Sequence, residues 1–337
     1  MKDLLALPKA HLHLHFTGSM RHATLLELAE RDGHVLPDAL VADWPPRLSA
    51  QDEKGWFRFQ RLYDVARSVL RTEDDVRRLV REAAEDDAAD GGRWLELQVD
   101  PSGYAARFGG ITAFLELVLD AVATASRDAG IGMAVVVAAN RTRHPLDART
   151  LARLAARYAD AGVVGFGLSN DERRGSTREF APAFRIAERA GLRLVPHGGE
   201  LLGPESVRIC VDELHASRVG HGVRVVEDPA LLERVAARGV ALEVCPLSNV
   251  SLGVYSDPAS VPLPELLAAG VPVALGADDP LLFGSRLAGQ YAAMRTAHDL
   301  DDGQLADLAA MSVRASSAPD SLQRRLLAEV EAWRSGS

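Results

Sequence analysis

Ala10-His11-Leu12-His13-Leu14-His15-Phe16 reads as a short β-strand near the N-terminus, following Leu4-Leu5-Ala6-Leu7-Pro8. Alternate side chains of a strand share a face, so all three histidines are expected to project together, opposite Leu12 and Leu14. Burying several imidazoles side by side is costly unless something binds them. A divalent metal meets that need, and neutral imidazole suits zinc. A polar strand face satisfied by water or carbonyls is the plainer alternative. Outward from this strand the chain repeats a pattern of short apolar runs separated by amphipathic stretches. The runs are about Ala10–Phe16, Trp94–Val99, Ile131–Ala139, Gly162–Leu168, Leu192–His197, Arg218–His221, Val240–Cys245 and Val271–Gly276. Helical patterns lie between them at Asp147–Ala161, Thr177–Ala190, Asp228–Arg238 and Leu263–Ala269. Strands alternating with helices predict βαβ units and a parallel sheet. Eight such runs predict a closed (β/α)8 TIM barrel rather than an open sheet. Residues 1–337 are read as a single barrel domain, with 304–337 a helical tail. Leu36–Gly55, with Pro37, Pro45 and Pro46 and with Trp44 in it and Trp56 next to it, breaks the alternation. It is expected to be an inserted helical excursion after the first strand, lying over the barrel mouth.

The bulk composition excludes several classes. The 337 residues hold 38 basic and 47 acidic side chains, a net charge of −9. Charges of both signs are interspersed without basic clusters, which argues against a nucleic-acid partner. Cys210 and Cys245 are too few for a disulfide framework. No run of some twenty apolar residues suggests a membrane span, and no signal peptide is evident. A cytoplasmic protein acting on a small molecule is the expectation, with a homo-oligomer left open.

The barrel places catalytic groups at the C-terminal ends of its strands. Polar residues fall there: His13 and His15 end the first run, His197 the fifth, His221 the sixth, and Asp278-Asp279 the eighth. His13, His15, His197 and Asp278 make a catalytic zinc site that leaves a position for water, one metal per chain. Such a metal lowers the pKa of bound water from about 15.7 towards 7. Glu200, three residues after His197, is expected on the first turn of a helix, where it could carry a proton. His221 could orient or deprotonate the water. The plainer readings are a helix N-terminal charge for Glu200, a tight-turn residue for His221 and an N-cap for Asp278.

Taken together, these residues resemble the adenosine deaminase family of the amidohydrolase superfamily. Pro8-Lys9-Ala10-His11-Leu12-His13-Leu14-His15 is similar to its first-strand motif, in which the last two histidines bind zinc. His197-Gly198-Gly199-Glu200 resembles the motif joining the third zinc histidine to the catalytic glutamate. Arg218-Val219-Gly220-His221-Gly222 resembles the motif of the catalytic histidine, and Cys245-Pro246-Leu247-Ser248-Asn249-Val250 the stretch after the seventh strand. Asp278-Asp279-Pro280 resembles the motif whose first aspartate binds zinc and whose second contacts the purine. The resemblance implies hydrolytic attack at C6 of an aminopurine nucleoside, with loss of ammonia. Glu200 would protonate the adjacent ring nitrogen, His221 and Asp278 would serve the attacking water, and Asp279 would hydrogen-bond the five-membered ring.

Two departures bear on the substrate. Thr17 stands where the family has an aspartate for the ribose 5′-hydroxyl, and an uncharged side chain is the poorer acceptor. Gly167 and Asn170 stand where the pattern has aspartate and a glycine whose amide contacts the purine. Substrate contacts are therefore expected from His15, Thr17, Gly167, Asn170 and Asp279. The departures fit a nucleoside without a free 5′-hydroxyl, such as the menaquinone precursor 6-amino-6-deoxyfutalosine. Adenosine or deoxyadenosine is the alternative. Free adenine is disfavoured, because adenine-specific relatives carry glutamate at the position of Thr17. An inactive purine-binding barrel would have lost one of the six expected groups, and all six are present. The family commonly has glutamate at the position of His11, which is expected below the site in a supporting hydrogen bond. Phe57, Phe59 and Tyr63 are expected near an apolar pocket wall, and Arg173 and Arg174 after the fourth strand.

Overall fold

Eight parallel strands in sequence order form the sheet: β1 (Lys9–His15), β2 (Gly92–Val99), β3 (Gly132–Asn140), β4 (Val163–Ser169), β5 (Arg193–Gly198), β6 (Arg218–His221), β7 (Ala241–Val244) and β8 (Val273–Leu275). The computed structural model describes residues 1–336; Ser337, the last residue of the expected tail, lies outside them. Each strand pairs with the next. The ring closes through a single parallel bridge, Leu14 with Asp278, where His15 N–H donates to Asp278 O and Asp278 N–H donates to His13 O, both at 3.0 Å. The expected (β/α)8 barrel is the observed fold.

The helices follow from local chemistry. Glu73–Ala89 opens with a capping box between Thr72 and Asp75. Ile111–Ala129 buries Phe114, Leu115, Val118, Ala121, Val122 and Ala125, a stripe of helical period. It stops at Gly130, whose φ of +68° suits a residue without Cβ. Three α-helices, not a short excursion, separate β1 from β2: His22–Arg31, Glu53–Ser68 and Glu73–Ala89. The segment expected over the mouth contributes mainly the approach to Glu53–Ser68. Trp44 pins it down by donating from Nε1 to Leu281 O at 2.7 Å.

The strict alternation expected of β1 fails at one point. His11 pairs with Leu95 and Leu14 with Leu97, so β1 carries one extra residue against β2. A bulge of this kind moves a side chain to the other face. His11 therefore sits on the outer side with Leu14, away from His15. Its Nδ1–H donates to Asp87 Oδ1 at 2.6 Å, while its Nε2 accepts from Ala277 N–H at 3.0 Å. It supports the seam beside Asp278 rather than joining the other histidines.

The tail is part of the barrel floor. Val313, Ala318 and Leu326 pack with Ala10, Leu12, Trp94, Ala134 and Ala274. The helices Asp302–Ala315 and Asp320–Ser335 thereby cover the end of the barrel opposite the strands' C-termini. No helix of the described residues is long and apolar enough to cross a membrane.

Candidate active site

Strand ends supply most of the polar groups at the C-terminal rim, and three residues there bend the backbone sharply. Asn170 after β4, His221 at the end of β6 and Asp278 after β8 have φ of +81°, +61° and +63°. Such conformations cost of order 1–3 kcal/mol each and persist where the surroundings over-determine them. Here each one turns a functional side chain inward.

The ring nitrogens of His13, His15 and His197 all lie within 4.8 Å of one another. His15 Nε2 is 3.2 Å from His197 Nε2 and 3.2 Å from Asp278 Oδ1. His13 Nε2 is 3.6 Å from the same carboxylate oxygen and has no hydrogen-bond partner of its own. The imidazoles fit together because Gly220 has no side chain: a Cβ there would lie 2.9 Å from His197 Nδ1 and 3.0 Å from His13 Cε1. Three converging imidazoles and one carboxylate are a nitrogen and oxygen donor set suited to a divalent cation of the zinc type. Electrostatics agree. Burial would lower the basicity of His13, yet the nearby carboxylates of Asp278 and Glu243 raise its pKa to about 10. Two carboxylates thus demand a positive charge at this point, which a bound cation supplies. Burial, then the neighbouring imidazoles, holds His197 neutral well below its usual range. Burial pushes Asp278 up, but His13 and His15 outweigh it and keep the carboxylate ionised.

Proton-carrying groups border this cluster. Glu200 is buried, and that burial, reinforced by Asp278, raises its pKa well above the carboxylate range, so it holds a proton. It does not lie on a helix: β5 ends at Gly198 and the next helix begins at Pro204. Glu172 fixes the intervening loop instead. Its Oε2 accepts from the N–H groups of Glu200, Leu201 and Leu202 at 3.2, 2.9 and 2.7 Å. Glu172→Ala should leave these donors bare, at about 1–3 kcal/mol for each buried group left unsatisfied. A lowered denaturation midpoint with turnover depressed and metal content intact is the expected result; unchanged turnover would show that the loop holds Glu200 without it.

His221 Nε2 lies 3.7 Å from Glu200 Oε2 and 4.0 Å from Asp278 Oδ2. Burial lowers its pKa to about 3, so the ring is neutral. Asn249 Nδ2 lies 3.3 Å from its Nδ1, and donation from the amide leaves the ring proton on Nε2, facing the site. Ser248 Oγ donates to Asp278 Oδ2. Asp279 is buried, its Oδ1 has no partner, and burial followed by Asp278 raises its pKa well above the usual range. Gly18 permits that approach, since a Cβ there would overlap Asp279 Oδ1 at 1.8 Å.

These groups face a chamber of about 70 Å³ lined by His15, Thr17, Asn170, Glu200, His221 and Asp279, among others. Trp56, Phe59, Gln60, Tyr63 and Arg67 of the helix Glu53–Ser68 form its outer wall. Phe59 and Tyr63 fall where expected, whereas Phe57 is exposed and lines only the outer cavity. Thr17 Oγ1 is bonded to Tyr104 OH. Gly167 sits within β4, where a Cβ would lie 3.1 Å from Val195 O and 3.6 Å from Ala138 Cβ, and it does not line the chamber. Asn170 contributes its side chain: its Oδ1 accepts from Trp56 Nε1 at 3.3 Å and its Nδ2 donates to Gln60 at 2.9 Å. Arg173 is occupied by Asp171 and by Ala50 O, and Arg174 is exposed beside Glu53. A vestibule of about 660 Å³ shares Trp56, Gln60, Arg67, Asn140 and Asn170 with the chamber.

Several residues escaped the sequence reading. Gln98 lines the chamber with both amide atoms buried and unpaired. Glu243 accepts from His13 Nδ1–H at 2.9 Å and selects the tautomer that presents Nε2 inward. Glu243, Glu96 and Arg218 all sit buried in strands, and a charge inside a buried run must find a partner. That signal was available.

A closed barrel with this donor set at its C-terminal rim is the arrangement of the amidohydrolase superfamily. Whole-chain comparison narrows the class. The sequence model of the family described as adenosine deaminase matches residues 8–333, and the chain belongs to that family. It is 65% identical over 335 residues to a Streptomyces virginiae protein provisionally named adenosine/adenine deaminase, covering 99% of each. It is 34% identical to an aminodeoxyfutalosine deaminase of Streptomyces avermitilis, covering 98% of this chain and 92% of that one. The crystal structure of an adenine deaminase from Arthrobacter aurescens superposes with a TM-score of 0.88 at 33% identity, covering 97% of this chain and 98% of that one.

Proposed function

We propose that the chain is a zinc-dependent hydrolytic deaminase of a 6-aminopurine nucleoside whose 5′ end is extended, as in aminodeoxyfutalosine. A hydrolytic deaminase of the adenosine/adenine type is the broader statement, and family membership carries it. The observation that supports the finer reading is that the larger vestibule adjoins the chamber across Trp56, Gln60, Arg67, Asn140 and Asn170, which puts space for a group beyond the base next to it.

His13, His15, His197 and Asp278 are the residues that would hold the zinc, which when bound supplies a Lewis acid that makes water a nucleophile near neutral pH. This chain's own groups do the rest. Glu200, protonated at rest, donates to the ring nitrogen beside the amine-bearing carbon and so makes that carbon electrophilic. His221, with its proton on Nε2, donates towards the attacking oxygen and orients it. Asp279, also protonated, donates to an acceptor nitrogen of the five-membered ring. The wall formed by the helix Glu53–Ser68 excludes bulk water, which strengthens each of these interactions.

Free adenine is a second reading. The tie between Thr17 and Tyr104 favours it by occupying the hydroxyl expected to meet the sugar, as does similarity to the Arthrobacter adenine deaminase. Steady-state rates on aminodeoxyfutalosine, adenosine and adenine separate the two, with the highest kcat/KM expected on the extended nucleoside. Thr17→Asp should lower that value roughly tenfold, since the carboxylate would be buried against the extension with Tyr104 OH as its one neighbouring donor, and leaving buried polar capacity unsatisfied costs about 1–3 kcal/mol. A higher kcat/KM on adenine or adenosine would overturn the extended-substrate reading.

A further inference from the structure

One layer of the barrel interior is charged. Glu96 of β2, Arg218 of β6 and Glu243 of β7 point inward below the histidines, each at most 1% exposed. Barrel interiors are ordinarily filled by branched aliphatic side chains. Replacing buried ion pairs by apolar residues is often neutral or stabilising, so stability does not explain this layer.

The contacts form one connected network. Ser317 N–H and Trp94 Nε1–H donate to Glu96 Oε1 at 2.6 and 2.9 Å. Arg218 donates from Nη2 to Glu96 Oε2, from Nη1 to Ala315 O at 2.9 Å and from Nε to Glu243 Oε1 at 2.7 Å. The other oxygen of Glu243 accepts from His13 Nδ1–H at 2.9 Å. The path begins at the turn between the last two helices and ends on the imidazole whose Nε2 faces the metal cluster. Two carboxylates against one guanidinium leave the layer one negative charge in excess, next to the place where a cation belongs.

We infer that Glu96, Arg218 and Glu243 are positioning residues that fix His13 as a metal ligand, with the Ala315–Ser317 turn anchoring the far end of the chain of hydrogen bonds. The inference rests on the metal reading of the site and not on the identity of the substrate. Glu243 sets the tautomer and basicity of His13. Arg218 holds Glu243 in register, and Glu96 shares the guanidinium so that Glu243 keeps enough charge to serve the histidine. Partners of this kind typically carry about 10–100-fold in metal affinity.

The test is zinc affinity by chelator competition on purified, folded full-length protein, with far-UV circular dichroism as the control. Glu243→Gln should weaken zinc binding about 10–100-fold. Glu96→Gln, remote from the cluster, should weaken it several-fold. The double variant should bind no more weakly than Glu243→Gln alone, because both act through one path. Where Glu96→Gln gives no folded protein, Arg218→Lys keeps the charge but loses the fork and should show the same loss. Wild-type affinity in Glu96→Gln or Arg218→Lys, or strictly additive effects in the double variant, overturns the inference. A wild-type chain that takes up no zinc overturns the metal reading and the inference with it.

Discussion

Glu200→Gln is expected to keep the fold and the bound metal while losing about 10²–10⁴-fold in turnover, the usual share of general acid–base catalysis. The substitution is nearly isosteric. The side chain is buried, and its backbone N–H is held by Glu172 whatever the side chain carries. An amide has no proton to deliver to the ring, so the loss should fall on kcat more than on KM. The resting carboxyl is already neutral, because burial raises its pKa well above the ordinary range. Replacing it by a neutral amide therefore leaves the local charge unchanged and isolates the proton as the missing element. Turnover within a few-fold of wild type on the preferred substrate would remove Glu200 from the reaction.

Removal of the metal is expected to have the other large effect. Chelation followed by dialysis should abolish activity, and one equivalent of zinc per chain should restore it. The same addition should stabilise the protein, by about 2.7 kcal/mol at a free metal concentration 100 times its Kd. Asp278→Ala should reduce both effects, since Asp278 Oδ1 lies within 3.6 Å of both His13 and His15. Recovery with two equivalents only, or full activity after exhaustive chelation, would show that the four residues do not form a single functional site.

The barrel was legible because strands of a parallel sheet are buried on both faces and read as continuous apolar runs. The histidines and aspartates at run ends then marked the rim. The bulge in β1 was not legible, since an extra residue changes register without changing composition. It is why strict alternation put His11 on one face with His13 and His15, whereas it bonds Asp87. Glu172 was hidden for another reason. It acts on the backbone of a loop after the following strand, and nothing in the local pattern of either segment records that meeting. Gln98 and Asn249 are polar residues whose importance lies in what they face, and only the assembled rim shows it.

The single bridge between Leu14 and Asp278 has a temporal consequence. It joins the first strand to the residue that follows the eighth, so the ring stays open until the last strand has emerged. Two histidines stand on one side of that seam and the aspartate on the other. Gathering them is the same event as shutting the ring, and whatever free energy a cation would gain from the full donor set goes into holding β1 against the segment that follows β8. A metal held there would be a fastener as well as a reagent, and a chain cut short of Asp278 would lack one of its four holding residues.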